Sequence, residues 1–113
     1  MHELSIALGI VKIAKKEVEK ADVKEVTKIE LQIGTLSGVE ITSLNYVWPS
    51  AVKDSVLENA EKNIEIIKAK GKCADCDTEF EMKNIFDSCP KCHSHLKNIL
   101  KGKELRVKAL EVI

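Results

Sequence analysis

Four cysteines govern what this chain can become. They stand as two pairs, Cys73-Ala74-Asp75-Cys76 and Cys89-Pro90-Lys91-Cys92, with twelve residues between them. Two CxxC turns bring four thiolates to the corners of a tetrahedron, the geometry that zinc accepts. The stretch between the pairs holds one strand-like run, Thr78 to Met82, suited to the hairpin of a zinc ribbon. Gly71 and Gly102 bracket the segment and strand-like sequence lies on both sides, so it reads as an insertion held at two points. Iron in a rubredoxin-like site and a dithiol redox pair are the alternatives. Rubredoxin-like sites sit among many aromatics, and only Phe80 and Phe86 are close here. A thioredoxin-like CxxC should open a helix after a strand, and neither pair clearly does. The expectation is a closed structural Zn(II) site on Cys73, Cys76, Cys89 and Cys92. With all four positions filled by protein, such an ion polarises no substrate and activates no water. It contributes folding free energy instead, roughly 10–16 kcal/mol in small zinc peptides.

Charge narrows the partners. Lys plus Arg equals Asp plus Glu at 18 each, and the balance holds on either side of Cys73. Loading four thiolates with a divalent ion leaves about −2 on the insertion. No global field draws the chain to nucleic acid or to an anionic membrane, and neither is expected as a partner. Residues 4–14 are broken by Ser5, Gly9 and Lys12, with no basic segment before them, so they do not read as a signal peptide. No run approaches the roughly 18 apolar residues of a membrane span. The expected location is the cytoplasm, where thiols stay reduced and paired CxxC motifs bind metal. No nucleophile–base motif and no Gly-rich phosphate loop is present, so an enzyme is not expected.

Around the cysteines the pattern is α+β. Leu4, Leu8, Val11 and Val18, with Ala7 and Ala14, make an amphipathic helix over 3–20. Over 27–33 the period changes to two, and Ile29, Leu31 and Ile33 mark a half-buried strand that ends in the loop 34–38. Ile41, Leu44, Val47, Trp48 and Ala51 repeat at helical spacing, but Pro49 should kink or split this helix, with a second segment near 51–62. Strands are expected over 63–70 and 103–113. The architecture is a small three-stranded mixed sheet with two helices, plus the inserted zinc-ribbon-like knuckle of four cysteines. The parts are 1–70 with 103–113 as one domain and 71–102 as the insertion. With aromatics at only 4%, the core must be aliphatic.

The chain begins Met1-His2-Glu3. A free α-amine, the amide of His2 and its imidazole can chelate one ion through fused rings, and Glu3 can add an oxygen. Nitrogen-rich sites of this kind suit Ni(II) or Cu(II). Amine and imidazole must both lose protons to bind, so affinity falls on mild acidification.

These pieces together resemble the HypA family, the nickel metallochaperones of NiFe-hydrogenase maturation. The likeness runs along nearly the whole chain: MHELSIA, IGTLSGVE, SVLENA, CADC with CPKCHS, and KGKELRVKALEV. It implies Ni(II) carried at the amino terminus with His2 central and Met1 and Glu3 contributing, and structural Zn(II) on the four cysteines. It implies delivery to the hydrogenase large-subunit precursor, with a HypB-type GTPase as partner. Apart from the resemblance, an exposed sheet edge, the knuckle, or a swap through Gly71 and Gly102 each offers a way to pair two copies of the chain. Family members often carry histidines beside both pairs. Here only the second has one, His93, and Asp77 follows the first. The alternative is a zinc-ribbon adapter for protein or nucleic acid. A nucleic-acid adapter needs a basic stripe, and the first knuckle sets Asp75, Asp77, Glu79, Glu81 and Asp87 against Lys83.

Overall fold

The computed structural model describes residues 2–113. Its elements are α1 (Glu3–Ala21), β1 (Val26–Gly34), α2 (Ile41–Val52), β2 (Glu61–Ile67), β3 (Ala69–Cys73), β4 (Glu79–Met82), β5 (Lys97–Lys101) and β6 (Leu105–Val112). The strands form two three-stranded sheets, ordered β2-β1-β6 and β4-β3-β5. In the first, the Ile113 amide donates to the Glu25 carbonyl at 3.1 Å, and the Gly34 amide donates to the Glu104 carbonyl at 2.7 Å. Those two ends set β6 antiparallel to β1. The Thr35 amide donates to the Ile67 carbonyl at 3.0 Å, so β1 and β2 end side by side. They are parallel, and α2 lies in the crossover between them. The sheet is therefore mixed, as expected, and no helix among the described residues is long and apolar enough to cross a membrane.

The chain divides into two compact units. One comprises the chain up to Leu31, Val39–Ile64 and Val107–Ile113; the other comprises Gln32–Gly38 and Glu65–Arg106. In the first unit α1 buries Ala7, Ile10, Ala14 and Val18, a stripe spaced by three and four. The expected stripe differs in one respect. Leu4 and Leu8 fall on its flank and are exposed, because the row through Ile10 rather than the row through Leu8 faces the core. The helix stops at Asp22, whose left-handed backbone (φ 53°) turns its amide back to the Val18 carbonyl. From β1, Val26, Ile29 and Leu31 are buried, and from α2 Leu44, Trp48, Ala51 and Val52. The core is aliphatic apart from Trp48.

Pro49 does not split α2. The helix runs unbroken from Ile41 to Val52. A proline removes one donor, here the amide that would reach the Asn45 carbonyl. Buried Trp48, Ala51 and Val52 on either side of it hold the last turn in place. No second helix follows: residues 53–59 form turns pinned by fully buried Leu57, and β2 begins at Glu61.

The strand expected over 63–70 is two strands in two sheets. β2 ends at Ile67, and after Lys68 the chain enters β3, the middle strand of the second sheet. β3 pairs antiparallel with β4 (Gly71 opposite Phe80) and with β5 (Cys73 opposite Lys97), with a register shift at Lys70/Gly71. Here the second unit's backbones meet without side chains between them. A Cβ on Gly34 would sit 2.0 Å from the Gly102 carbonyl oxygen. Gly102 itself has φ +118°, and a Cβ there would sit 2.5 Å from the Ala69 Cα. Only glycine fits either position. The unit's core is small: Ala69, Cys73, Phe80, Met82 and Cys89, with Leu36, Cys76 and Ile99 against it.

Candidate metal centres

Each CxxC pair is folded into the same short loop. In the first, the Cys73 carbonyl accepts from the Asp77 amide at 3.0 Å, and the Cys73 amide donates to the Thr78 carbonyl at 2.9 Å. In the second, the Cys89 carbonyl accepts from the His93 amide at 2.8 Å, and the Cys89 amide donates to the Ser94 carbonyl at 2.9 Å. Asp77 and His93 occupy matching left-handed positions, φ 60° and 63°. Asp and His tolerate that conformation better than bulkier residues. A side-chain bond from the Ser94 hydroxyl to the Asp75 carboxylate ties one loop to the other. Between the pairs, the Asp87 carboxylate accepts from the Lys83 amide at 2.6 Å and the Asn84 amide at 3.2 Å. Those two amides hold the Asp87 carboxyl below its ordinary range and order the loop that carries the chain to Cys89.

The four sulfurs meet as the spacing predicts. Cys73 Sγ lies 3.4 Å from Cys92 Sγ, Cys76 Sγ lies 3.7 Å from Cys89 Sγ, and all four lie within 4.8 Å of one another. A disulfide needs about 2.05 Å, and all four thiols are free. Zinc–sulfur bonds of about 2.3 Å at tetrahedral angles put sulfurs about 3.8 Å apart. The cluster fits a structural zinc site. Cys73 and Cys89 are buried, Cys76 is half-buried and Cys92 is exposed.

The protons on this cluster are unevenly held. The Thr78 hydroxyl, 3.1 Å from Cys76 Sγ, and the Thr78 backbone bring that thiol down to about 6. At Cys92 a hydrogen bond donated by the Ser94 backbone amide favours the thiolate, but the neighbouring Cys73 sulfur, desolvation, and the Cys76 and Cys89 sulfurs prevail, and the thiol is pushed up to about 12. Four thiolates this close repel one another until a cation joins them, so metal loading displaces protons. The sequence reading missed Thr78 and the Asp75–Ser94 clamp. Their signal was present: a hydroxyl residue stands two places after the second cysteine of each pair, Thr78 and Ser94.

The amino-terminal residues are arranged differently. Met1 lies outside the described residues. His2 is the N-cap of α1 and is exposed, with its carbonyl accepting from the Ile6 amide at 3.1 Å. Glu3 opens the helix, and its Oε2 accepts from the Glu40 amide at 3.2 Å. Glu40 is in turn the N-cap of α2, with Oε1 accepting from the Thr42 amide at 3.3 Å. It is the Glu40 backbone amide that meets the His2–Glu3 end, while its carboxylate caps its own helix. No cue to this cap stands in the sequence, since Glu is not among the residues favoured at an N-cap. Among the described residues the cysteines form the one close cluster of metal-ligating side chains; His93 and His95 are exposed and do not join it.

Comparison with known proteins agrees with the fold. The family described as "Hydrogenase/urease nickel incorporation, metallochaperone, hypA" matches residues 1–112. The hydrogenase maturation factor HypA of Parabacteroides distasonis is 46% identical over 112 residues, covering 99% of this chain and 97% of that protein. The HypA of Francisella philomiragia subsp. philomiragia is 44% identical over 110 residues, 97% of each chain. The solution structure of the Ni metallochaperone HypA from Helicobacter pylori superposes with a TM-score of 0.72 at 24% identity, covering 100% of this chain and 98% of that one, and it speaks to the fold alone. With a match along nearly its entire length, the chain belongs to the HypA family, metallochaperones of nickel incorporation rather than enzymes.

Proposed function

We propose that this chain binds one Ni(II) at its amino terminus, through the Met1 amine, His2 and Glu3, and delivers it in the cytoplasm to the large-subunit precursor of a NiFe hydrogenase, acting with a HypB-type GTPase. Zn(II) on Cys73, Cys76, Cys89 and Cys92 holds the insertion at 71–102 in shape, while 1–70 and 103–113 form the nickel-binding part. The observation that carries the reading is the placement of Glu3. Its carboxylate is tied to the Glu40 amide while the preceding His2 stays exposed. One carboxylate oxygen is thereby tied down on the residue that follows an exposed imidazole. Nitrogen and oxygen donors of this kind suit Ni(II), and an exposed terminus lets the ion leave. A carrier needs affinity and an exit path, and no transition state is involved.

The test is a nickel titration by calorimetry on zinc-loaded protein with its native amino terminus, beside His2→Ala, with zinc counted by mass spectrometry. About one nickel per chain, lost in the variant while one zinc stays, supports the carrier. Nickel binding that is absent, or that survives loss of His2, returns the chain to the zinc-ribbon adapter reading.

A further inference from the structure

The second unit gathers cations where its own fold has no use for them. Residues 68–72 hold three lysines and residues 97–103 hold three more, with no acid in either segment, in a chain balanced at 18 to 18. The pairing of β3 with β5 sets Lys70 directly opposite Lys101, and on its other side β3 meets β4 with Glu81 opposite Lys70. Like charges that face each other across a strand pair destabilise it. A lysine on an edge strand guards against mispairing, but β3 is the middle strand, so Lys70 has no such duty.

The same residues line two open clefts. Lys68, Ala69, Lys70, Glu81 and Lys101 line one of about 230 Å³. Thr35, Lys68, Ala69, Glu81, Met82 and Lys83 line the other, of about 360 Å³. Lys68, Ala69 and Glu81 belong to both, so the clefts adjoin. Four ammonium groups stand here against the carboxylates of Glu81 and, at the rim, Glu79, whose Oε1 lies 3.6 Å from Lys70 Nζ. Among the described residues no carboxylate or hydrogen-bond acceptor engages Lys68 or Lys101, and Lys83 acts on Asp87 only through space. Thr35 Oγ1 accepts from the Ala69 amide at 3.1 Å, which leaves the hydroxyl proton to donate elsewhere.

The choice of lysine states the kind of anion. An ammonium meets phosphate oxygens as a point charge with three rotatable donors, whereas a carboxylate is gripped best by the planar fork of arginine. The chain has one arginine, Arg106, and it donates to Gln32 instead.

We propose that the adjoining clefts bind a diphosphate group. Lys68 stands between its two phosphates, Lys70 and Lys101 face one, and Lys83 with the Thr35 hydroxyl faces the other. Glu81 is the carboxylate that opposes the ligand, and its place opposite Lys70 gives it a cation to turn to. The site lies within the unit that holds the cysteines and does not depend on the nickel reading.

The experiment titrates inorganic pyrophosphate and, separately, GTP into the zinc-loaded chain by calorimetry at low and high salt. Zinc is counted by mass spectrometry and thermal melts are taken on the same samples. The variants are Lys68→Gln/Lys101→Gln, Glu81→Gln, and Lys12→Gln/Lys16→Gln on exposed α1 as a control of equal charge change. The expected result is saturable binding of one pyrophosphate per chain, weakened tenfold or more by Lys68→Gln/Lys101→Gln, strengthened by Glu81→Gln and unchanged in the control. Affinity should also fall with salt. Opposite signs at the lysines and at Glu81 are not what misfolding would produce. Pyrophosphate bound as tightly as GTP identifies the ligand as a free diphosphate, and tighter binding of GTP identifies it as the phosphates of a nucleotide; either result supports the site. Absence of binding of both probes at millimolar concentration overturns it. So does wild-type affinity in Lys68→Gln/Lys101→Gln, an equal loss in the α1 control, or heat that tracks loss of zinc.

Discussion

The cysteine cluster and the amino-terminal turn of α1 present their donor atoms in opposite ways. Around the cysteines, backbone bonds shape each loop, the Asp75–Ser94 bond links the two loops, and two of the four cysteines are buried. At the amino terminus one donor, Glu3, is tied, while His2 is exposed at a helix end. Enclosure slows the departure of an ion and exposure speeds it. One arrangement suits a resident metal and the other suits a metal in transit, and the distinction lies in how many donors are held rather than in which elements they are.

That contrast can be broken most forcefully at Cys89, which is fully buried. Cys89→Ser should lower zinc affinity more than a thousandfold, about 4 kcal/mol or more, because it removes one of four thiolates from a site whose binding free energy is folding free energy. The amide signals of 71–102 should lose dispersion in NMR spectra, while the nickel stoichiometry holds at one. Loss of nickel as well would make the two sites one system. Next comes His2→Ala, expected to weaken nickel about a hundredfold and to leave the zinc count unchanged. Acidifying the wild type from pH 8 to 6 should work in the same direction, since the amine and imidazole must be deprotonated to bind.

Smaller effects sharpen the contrast without destroying it. Gly102→Ala forces a side chain into φ +118° and against the Ala69 backbone. It should cost about 2–3 kcal/mol in chemical unfolding; a neutral result would mean the crossing yields easily. The mildest is Thr78→Val, which removes the hydroxyl beside Cys76. The Cys76 thiol should rise from about 6 towards its ordinary value of 9.0. Since a thiol must be deprotonated to hold zinc, affinity should drop about tenfold, most visibly between pH 6 and 8, in chelator competition. An unchanged profile would show that the four sulfurs need no help from neighbours.

Much of this was legible from residue spacing. The cysteine pairs named their own geometry, and Ile29, Leu31 and Ile33 placed the inner face of β1 because a period of two admits no other reading. What escaped was decided by tertiary contacts. Pro49 is a reliable breaker only where nothing opposes it, and the burial of Trp48, Ala51 and Val52 opposed it. The break between β2 and β3 left no mark in NIEIIKAK, since both halves are strand-like; it arises where Gly34 and Gly102 let backbones cross beside Ala69. Leu4 and Leu8 looked like core because periodicity reports an apolar stripe without saying which edge faces inward. Thr78, Asp75 and Glu40 act through single hydrogen bonds, which no periodicity encodes.

The glycine crossing also has a kinetic meaning. Residues 34, 69 and 102 are far apart along the chain, yet their backbones meet, with the Leu36 amide donating to the Gly102 carbonyl at 2.7 Å. The loop from 71 to 102 therefore has its ends joined by contacts outside the cysteine cluster. Closing a loop costs entropy that grows with the logarithm of its length, and that cost is met by the crossing rather than by the metal. A chain stripped of zinc should keep its cysteine pairs at a high effective concentration for each other. Re-metallation should then proceed at a rate set by proton release and metal arrival, without waiting for the chain to search.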